Sequence, residues 1–185
     1  MESVKVNRPV VVKLREDAQI PTKRVSDGGY DLYALWDKPV VIHKANTVMM
    51  FNTGIKIMFP SEYVALFRER GSTGIINLQL RAGVVEGNFK GEYKIILTNG
   101  NVLHDIIYVK KGASVDEIFG VYKETYPNLC DIESVRIEED ELGREILTGF
   151  IKGTKGIYNS VLNDEGKIIL GYIYPQSKAI AQMVI

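Results

Sequence analysis

The chain has 185 residues, 45% of them hydrophobic and 25% charged, and its 23 Lys and Arg balance its 23 Asp and Glu, so that the formal net charge is zero. This composition excludes disordered, collagen-like and disulfide-scaffold chains, and the zero net charge argues against nucleic acid as a partner, because phosphate binding needs an excess of cations. No apolar run reaches the roughly 18 residues of a membrane-spanning helix, no apolar signal core follows Met1, and the single Cys130 excludes an internal disulfide, so we expect a cytoplasmic protein that does not enter a membrane.

Short runs rich in Val and Ile alternate with turn-forming clusters through the first hundred residues. The runs predict β-strands, and they lie at residues 10–12, 40–42, 47–51, 55–59 and 64–67. Clusters of Gly, Pro, Ser, Asn and Asp separate them at residues 26–29, 52–54, 60–62 and 71–74. Short strands with turns at this spacing favour a closed all-β sandwich or barrel over alternating strands and helices.

From about residue 100 the pattern changes. Ser114 and Glu117 have the spacing of a capping box, apolar residues follow at helical intervals, and Pro127 ends the predicted helix. Further strands are predicted at residues 103–109, 135–137, 146–151 and 168–174, with a hairpin turn at 163–166. We therefore predict a mainly β protein in which residues 1–99 form a β core, 100–171 a small inserted α+β subdomain, and 172–185 the final strand of the core.

Three segments combine residue types that suit a catalytic site. Residues 28–34 read Gly-Gly-Tyr-Asp-Leu-Tyr-Ala, and residues 68–74 join two Arg, a hydroxyl pair and glycines in a turn that suits an anion. Residues 83–92 place an aromatic ring and a carboxylate in a Gly-bounded hairpin, as a site that stacks a flat ring beside a general base needs. Taken singly, the segments are more typical of structure than of function: the first of a turn, the second of a polar hairpin, and the third of a hairpin with Phe89 in a core.

In their order and spacing the three segments resemble the first three signature motifs of the trimeric dUTPase superfamily. Residues 52–55, Asn-Thr-Gly-Ile, resemble the stretch before the family's phosphate loop, and residues 179–185 resemble the fourth motif. The resemblance covers residues 9–99 and 176–185 and implies a distorted jelly-roll or β-barrel. A related dCTP deaminase shares this fold, but its loop residues match less well. Some phage-encoded members carry an inserted domain at the same junction.

The resemblance also implies an activity: hydrolysis of dUTP to dUMP and pyrophosphate by a homotrimer, with Mg²⁺ on the triphosphate. Asp31 would orient metal-bound water, and Glu86 would be the base that activates the attacking water. Phe89 would stack on the deoxyribose, and Lys94 would be a further nucleotide contact. The remaining implied substrate-binding residues hold the phosphates (Arg70, Gly71, Ser72 and Gln182) or read the uracil edge (Gly83, Val84 and Val85).

Four departures from the family pattern leave alternatives open. The usual Asp is Glu86, the usual Tyr is Phe89, and the usual Arg of the fourth motif is Ala179, preceded by Lys178. A Gly-rich fifth motif has no counterpart in the 185 residues. The alternatives are a catalytically weakened protein that binds a nucleotide or, through residues 100–171, a protein partner, and a structural trimeric module of a virus, in which case the cytoplasm is that of the host. dTTP and dCTP also stay open as substrates.

Several single residues are assigned no role in chemistry. We expect Tyr30 to pack inside the barrel, and His43, His104 and Trp36 to have structural or surface roles. Cys130 is expected to be a small buried group, because no His lies near it in sequence.

Overall fold

The computed structural model of the chain describes residues 9–110, 112–127, 132–151, 167–175 and 178–185. Within these residues, the elements in chain order are β1 (Val10–Lys13), β2 (Tyr30–Leu32), β3 (Val40–Ile42), β4 (Val48–Asn52), β5 (Ile55–Met58), β6 (Val64–Arg68), α1 (Gly71–Ile75), β7 (Leu78–Arg81), β8 (Val84–Glu86), β9 (Lys94–Asn99), β10 (Asp105–Val109), α2 (Val115–Thr125), β11 (Ile132–Glu139), β12 (Glu145–Ile151), β13 (Lys167–Pro175) and β14 (Ala181–Val184). The mainly β prediction is confirmed. The predicted turn at 163–166 and Cys130 lie outside the described residues.

The chain divides into two compact units, and the first is built from the described residues of Met1–Trp36, Val48–Thr98 and Lys178–Ile185. Its strands form three sheets, ordered β1-β5, β2-β14-β6-β8 and β4-β9-β7. Inward-facing side chains such as Leu32, Phe51 and Ile95 are completely buried and form the core. No sheet closes on itself among the described strands, so the jelly-roll-like arrangement is an open one and not the closed barrel that we expected.

The stretch at Thr53 and Gly54 has a structural role in this unit. Gly54 has a positive φ of 68°, which a residue with a Cβ adopts only under strain. The buried Thr53 hydroxyl donates to the Tyr93 carbonyl at 2.5 Å, and Glu92 accepts a hydrogen bond from the Gly54 N–H at 2.7 Å. These bonds tie the turn between β4 and β5 to the chain entering β9, the strand that follows the predicted catalytic hairpin.

Tyr30 differs from its prediction, because 38% of its surface is exposed. Tyr30 is the first residue of β2, and Leu32, which projects from the same face two positions later, is completely buried, so the buried row begins after Tyr30. The ammonium of Lys23 lies 5.2 Å from the centre of the ring.

The second unit comprises the described residues of Asp37–Thr47 and Asn99–Ser177 and has a five-stranded sheet ordered β11-β12-β13-β10-β3. Strands β10 and β13 are parallel, and α2 packs its apolar side, including Ile118 and Tyr122, against the sheet. The Ser114 half of the predicted capping box is present, since the Ser114 hydroxyl accepts the Glu117 N–H at 3.1 Å. The unit boundaries differ from those we predicted: residues 37–47 and 172–175 belong here, because β3 and β13 both pair with β10.

A buried carboxylate organises the polar interior of the second unit. Asp105 is 2% exposed. Its Oδ2 accepts a hydrogen bond from the Tyr126 hydroxyl at 2.7 Å and lies 3.2 Å from the Tyr122 hydroxyl. Its Oδ1 accepts a hydrogen bond from the Lys44 N–H at 2.8 Å. Tyr126 gives its single proton to Asp105, so His43, whose Nδ1 lies 2.9 Å from that hydroxyl, must be the donor. Burial and Asp105 together raise the pKa of both tyrosines. The structural role expected of His43 is thus confirmed.

The second unit is expected to lose stability in mild acid because of His104. The ring stands edge-on to Tyr172 at 5.6 Å, and burial, followed by the charge of Lys44, lowers its pKa below the ordinary 6.5. The unfolded chain therefore takes up this proton more readily, so the contribution to stability is complete above pH 6.5 and falls as the pH drops from there toward the lowered pKa. In thermal unfolding between about pH 7.5 and about pH 5.5, His104→Phe should lose less in Tm than the unmodified protein. Equal losses would contradict the assignment.

No helix among the described residues is long and apolar enough to cross a membrane.

Candidate functional site

The four-stranded sheet β2-β14-β6-β8 brings the first and fourth predicted motifs together. Asp31 on β2 is directly opposite Gln182 on β14, which is in turn opposite Arg68 on β6. Directly opposed residues project from the same face of a sheet. The Gln182 side-chain amide donates to Asp31 Oδ1 at 3.2 Å. Two residues 151 positions apart in the sequence thus share one polar row on the outer face.

Arg70 adds the second motif to this row. Its Nε lies 3.0 Å from Asp31 Oδ1, an ion pair in which the side chains are only 25% and 18% exposed. The pair is held by charge, because Nε lacks an aligned hydrogen bond to any described residue. The Arg70 Nη1 also donates to the Ala179 carbonyl at 3.3 Å. The Arg70 guanidinium therefore connects three predicted motifs. It belongs to the second motif and contacts the first at Asp31 and the fourth at Ala179.

The anion-binding turn predicted after Arg70 forms a single helical turn, α1. The Thr73 hydroxyl accepts from the Arg70 N–H at 3.0 Å and donates to the Arg70 carbonyl at 2.8 Å, and the residue is fully buried. Of the hydroxyl pair that we singled out, Thr73 thus shapes the turn and has no exposed surface for a ligand. Gly71 and Ser72 are exposed, as a phosphate-contacting turn requires.

The third motif occupies an edge strand. β8 has β6 on one side and is the last strand of its sheet. Phe67 donates to the Gly83 carbonyl and Gly87 to the Tyr63 carbonyl, so the alternating pattern of an antiparallel ladder turns the backbone groups of Val84 outward. The open edge therefore offers a main-chain donor and acceptor side by side, which is what the edge of a pyrimidine base needs. Glu86 is exposed on the same strand, and Val85 is half-buried.

Phe89 is supported by a tyrosine that the sequence analysis did not single out. The Phe89 ring lies 5.8 Å from the ring of Tyr93, which also packs against Phe67 at 5.9 Å. Tyr93 is 1% exposed, and its burial raises the pKa of the hydroxyl to about 12. Phe89 keeps 42% of its surface exposed, so one side of the ring remains available to a ligand. The sequence signal that could have identified Tyr93 was its position, an aromatic residue four places after Phe89.

Glu86 and Asp31 do not meet within one chain. Along the strands, Glu86 is opposite Val64, which lies four residues from Arg68, the residue of β6 in the same row as Asp31. Across the sheet, three strand spacings separate β8 from β2. Spacings of about 4.8 Å between strands and about 3.3 Å along them place the α-carbons of Glu86 and Asp31 about 20 Å apart. Lys94 is exposed at the start of β9, in another sheet, opposite Asn52. The other ten predicted site residues form two groups. One surrounds Arg70, and the other lies on β8 and its flanking turns; their members are Asp31, Arg70, Gly71, Ser72 and Gln182, and Gly83, Val84, Val85, Glu86 and Phe89, respectively.

The donor set fits magnesium held chiefly by a ligand's phosphates. Among the described residues, no three His, Cys, Asp or Glu side chains are placed to hold a metal ion. Asp31 is the carboxylate of the polar row, and its Oδ1 is already engaged by Arg70 and Gln182. Mg²⁺ commonly takes one or two carboxylates and completes its shell with phosphate oxygens and water. Asp31 therefore suits contact with metal-bound water better than membership of a protein cage.

The hairpin after β8 depends on close backbone packing at Gly87. A Cβ at this position would collide with the Pro60 carbonyl and lie 2.9 Å from the Tyr63 carbonyl and 3.0 Å from the Ser61 Cα. Gly87→Ala should therefore push the hairpin away from the 60–63 turn and displace Glu86. We expect any catalysis that depends on Glu86 to fall about a hundredfold in kcat/KM, the cost of a shift near 1 Å at a reacting group.

The matched control is Gly120→Ala in the interior of α2, where an added Cβ meets nothing within 4 Å. It should raise stability by about 0.5–1 kcal/mol and leave turnover unchanged, because Ala is the better helix former. If Gly87→Ala were as active as Gly120→Ala, the hairpin would not need its observed backbone position.

Comparison with known proteins places these motifs in a family. A model of the dUTPase family matches residues 16–132. The deoxyuridine 5'-triphosphate nucleotidohydrolase of Hydrogenobaculum sp. (strain Y04AAS1) is 35% identical over 94 residues, which cover 49% of this chain and 64% of that protein. That of Rickettsia bellii (strain OSU 85-389) is 29% identical over 133 residues, covering 70% and 81%. The chain thus spans less than two thirds of the Hydrogenobaculum relative.

Solved structures with the same fold come from staphylococcal phages. A mutant dUTPase from phage phi11 of S. aureus aligns with a TM-score of 0.55 and 18% identity over 96% of this chain and 89% of that one. A mutant dUTPase of Staphylococcus bacteriophage 80alpha, bound to dUpNHpp, aligns with a TM-score of 0.55 and 18% identity over 97% and 82%. At this identity the likeness concerns the fold.

Proposed function

The chain belongs to the dUTPase family, and from this premise we propose that it hydrolyses dUTP to dUMP and pyrophosphate. The observation that carries the proposal is the Arg70 guanidinium, which contacts Asp31 at 3.0 Å and the Ala179 carbonyl at 3.3 Å. Three motifs that are far apart in the chain thereby share one polar, partly exposed surface. Such a surface suits a polyphosphate, because Arg and exposed main-chain and hydroxyl groups are its usual ligands.

In the proposed reaction, water attacks the α-phosphorus and the bond from that phosphorus to the bridging oxygen breaks, which releases pyrophosphate. Glu86 accepts the proton of the attacking water. Arg70, Gly71, Ser72 and Gln182 hold the phosphate oxygens, and Lys94 is a further nucleotide contact. Mg²⁺ on the triphosphate would neutralise charge on its oxygens, and Asp31 would orient the water bound to the metal.

The open edge of β8 supports a pyrimidine-binding role for the hairpin. The outward backbone groups of Val84 offer an acceptor to the N3–H of uracil and a donor to its carbonyl oxygen, and Gly83 and Val85 fix the strand on which they lie. Cytosine carries an acceptor at N3, so the same backbone groups would oppose it. Phe89 covers the deoxyribose with the exposed side of its ring.

We further propose a homotrimer in which the hairpin of one copy lies beside the Asp31–Arg70 pair of another. The separation of about 20 Å between Glu86 and Asp31 is too large for both carboxylates to act at one phosphorus. A site completed by a second copy removes this difficulty, and closed symmetric assembly is the usual form of soluble oligomers.

The proposal is tested by turnover of dUTP, dTTP, dCTP, dATP and dGTP with Mg²⁺, followed as phosphate release in the presence of a coupling pyrophosphatase. We expect dUTP to be hydrolysed, the purine nucleotides to be inert, and chelation of the metal by EDTA to stop the reaction. Absence of phosphate release from dUTP at micromolar enzyme would contradict the proposed activity.

A second candidate function is nucleotide-dependent binding with weak turnover, and it is favoured by the longer carboxylate side chain at Glu86. The 80alpha dUTPase is described as controlling the transfer of virulence genes by a G protein-like mechanism, and residues 100–171 would supply the surface for a protein partner here. Glu86→Asp separates the two candidates. If the site is adapted to Glu86, the variant should be slower; if catalysis has been weakened by the extra methylene, it should be faster.

A further inference from the structure

Arg68 lies in the polar row of the candidate site, although the sequence analysis gave it no role. It is directly opposite Gln182, whose other neighbour across the sheet is Asp31. Side chains at directly opposed positions have Cβ atoms about 4.5–5.5 Å apart and share a face. The exposed Arg68 side chain therefore begins beside the Gln182 amide and extends from the same surface.

The charge of Arg68 differs in its availability from that of Arg70. Arg70 is three-quarters buried and is paired with Asp31, so the two together present little net charge to an anion. The Arg68 side chain has no hydrogen bond or ion pair to any residue in the described part of the chain. A triphosphate brings several negative charges, and binding needs a cation that no carboxylate already neutralises.

We propose that Arg68 binds the polyphosphate of the substrate from the face of the sheet, beside Gln182, and this inference rests on the proposed function. Arg70, whose charge is largely offset by Asp31, remains one of the phosphate ligands, and Arg68 adds a second guanidinium that no described carboxylate neutralises. The planar fork of guanidinium donors suits two oxygens of one phosphate group. Arg68 is thus a substrate-binding residue in addition to those that the family motifs contain.

The test is calorimetric titration of Arg68→Ala and Arg68→Lys with the non-hydrolysable imido analogue of dUTP and, separately, with dUMP. Arg68→Ala should bind the analogue about tenfold or more weakly, the value of one charge-assisted hydrogen bond. Its affinity for dUMP should be nearly unchanged, and Arg68→Lys should recover part of the loss. Lys13→Ala, which removes an exposed cation from β1, is the matched control and should bind both ligands normally.

The outcomes separate this inference from the function on which it rests. If the unmodified protein binds the analogue and Arg68→Ala binds it equally well, Arg68 is a solvated surface cation and only this inference fails. If Arg68→Ala weakens the analogue and dUMP equally while lowering Tm, its role is structural and the inference also fails. If the unmodified protein binds neither ligand, the proposed function fails and this inference fails with it.

Discussion

Replacing Glu86 by Gln should lower kcat for dUTP by about two to four orders of magnitude, the usual contribution of a general base. The amide keeps the length and shape of the side chain but cannot accept a proton from water. KM should change little, because Glu86 is exposed on β8 and the proposed phosphate ligands lie in the other group of site residues. Steady-state kinetics at saturating dUTP and Mg²⁺ measure the effect.

Glu16→Gln is the control for a general effect of losing one negative charge, since Glu16 is exposed in the loop after β1. It should retain the kcat of the unmodified protein. A Glu86→Gln variant that is as active as Glu16→Gln would show that Glu86 is not the base. The Tm values of the two variants show whether a loss of activity is caused by a loss of folded structure.

The largest effect on stability is expected from Asp105→Ala in the second unit. The carboxylate accepts the Lys44 N–H at 2.8 Å and the Tyr126 hydroxyl at 2.7 Å, and the residue is 2% exposed. Its removal takes the acceptor away from both donors and opens a small cavity, so the free energy of unfolding should fall by about 2–4 kcal/mol. Urea unfolding followed by circular dichroism measures the change.

Two further variants show whether the network carries this effect. Tyr126→Phe deletes one hydroxyl of the network and should cost about 1 kcal/mol. Glu124→Ala removes an exposed carboxylate from α2 and should change stability by less than about 0.5 kcal/mol. If Asp105→Ala were no more destabilising than Glu124→Ala, the buried hydrogen bonds would have no net value.

Local patterns in the sequence predicted most of the elements but not their partners. The Val- and Ile-rich runs became strands, and Ser114 caps α2, because both features depend on neighbouring residues. The pairing of β3 with β10 joins residues more than sixty positions apart, and no local signal contains it. This is why residues 37–47 were assigned to the β core. The open sheet edge at β8 likewise depends on how the whole chain pairs.

The candidate site was predictable in its residue types but not in its contacts. The order of the motifs identified Asp31, Arg70 and Gln182 as candidates. The contacts that Arg70 and Gln182 make with Asp31 follow only from the register of β14 between β2 and β6. The sequence did not predict a role for Arg68, because its place in the site depends on its pairing with Gln182 across the sheet. The hydrogen bonds of Asp105 were not predicted for a related reason. Their donors, on Lys44 and Tyr126, are distant in the sequence and reach the carboxylate only in the folded unit.

The central claim, that the two groups of site residues belong to different copies of the chain, is tested most directly by mixing inactive variants. Asp31→Asn and Glu86→Gln are each expected to be inactive and to assemble as the unmodified protein does. After joint unfolding and refolding in equal amounts, about a quarter of the sites should combine an intact Asp31 from one copy with an intact Glu86 from another, and turnover should return to about that fraction. A mixture no more active than the separate variants would contradict the claim.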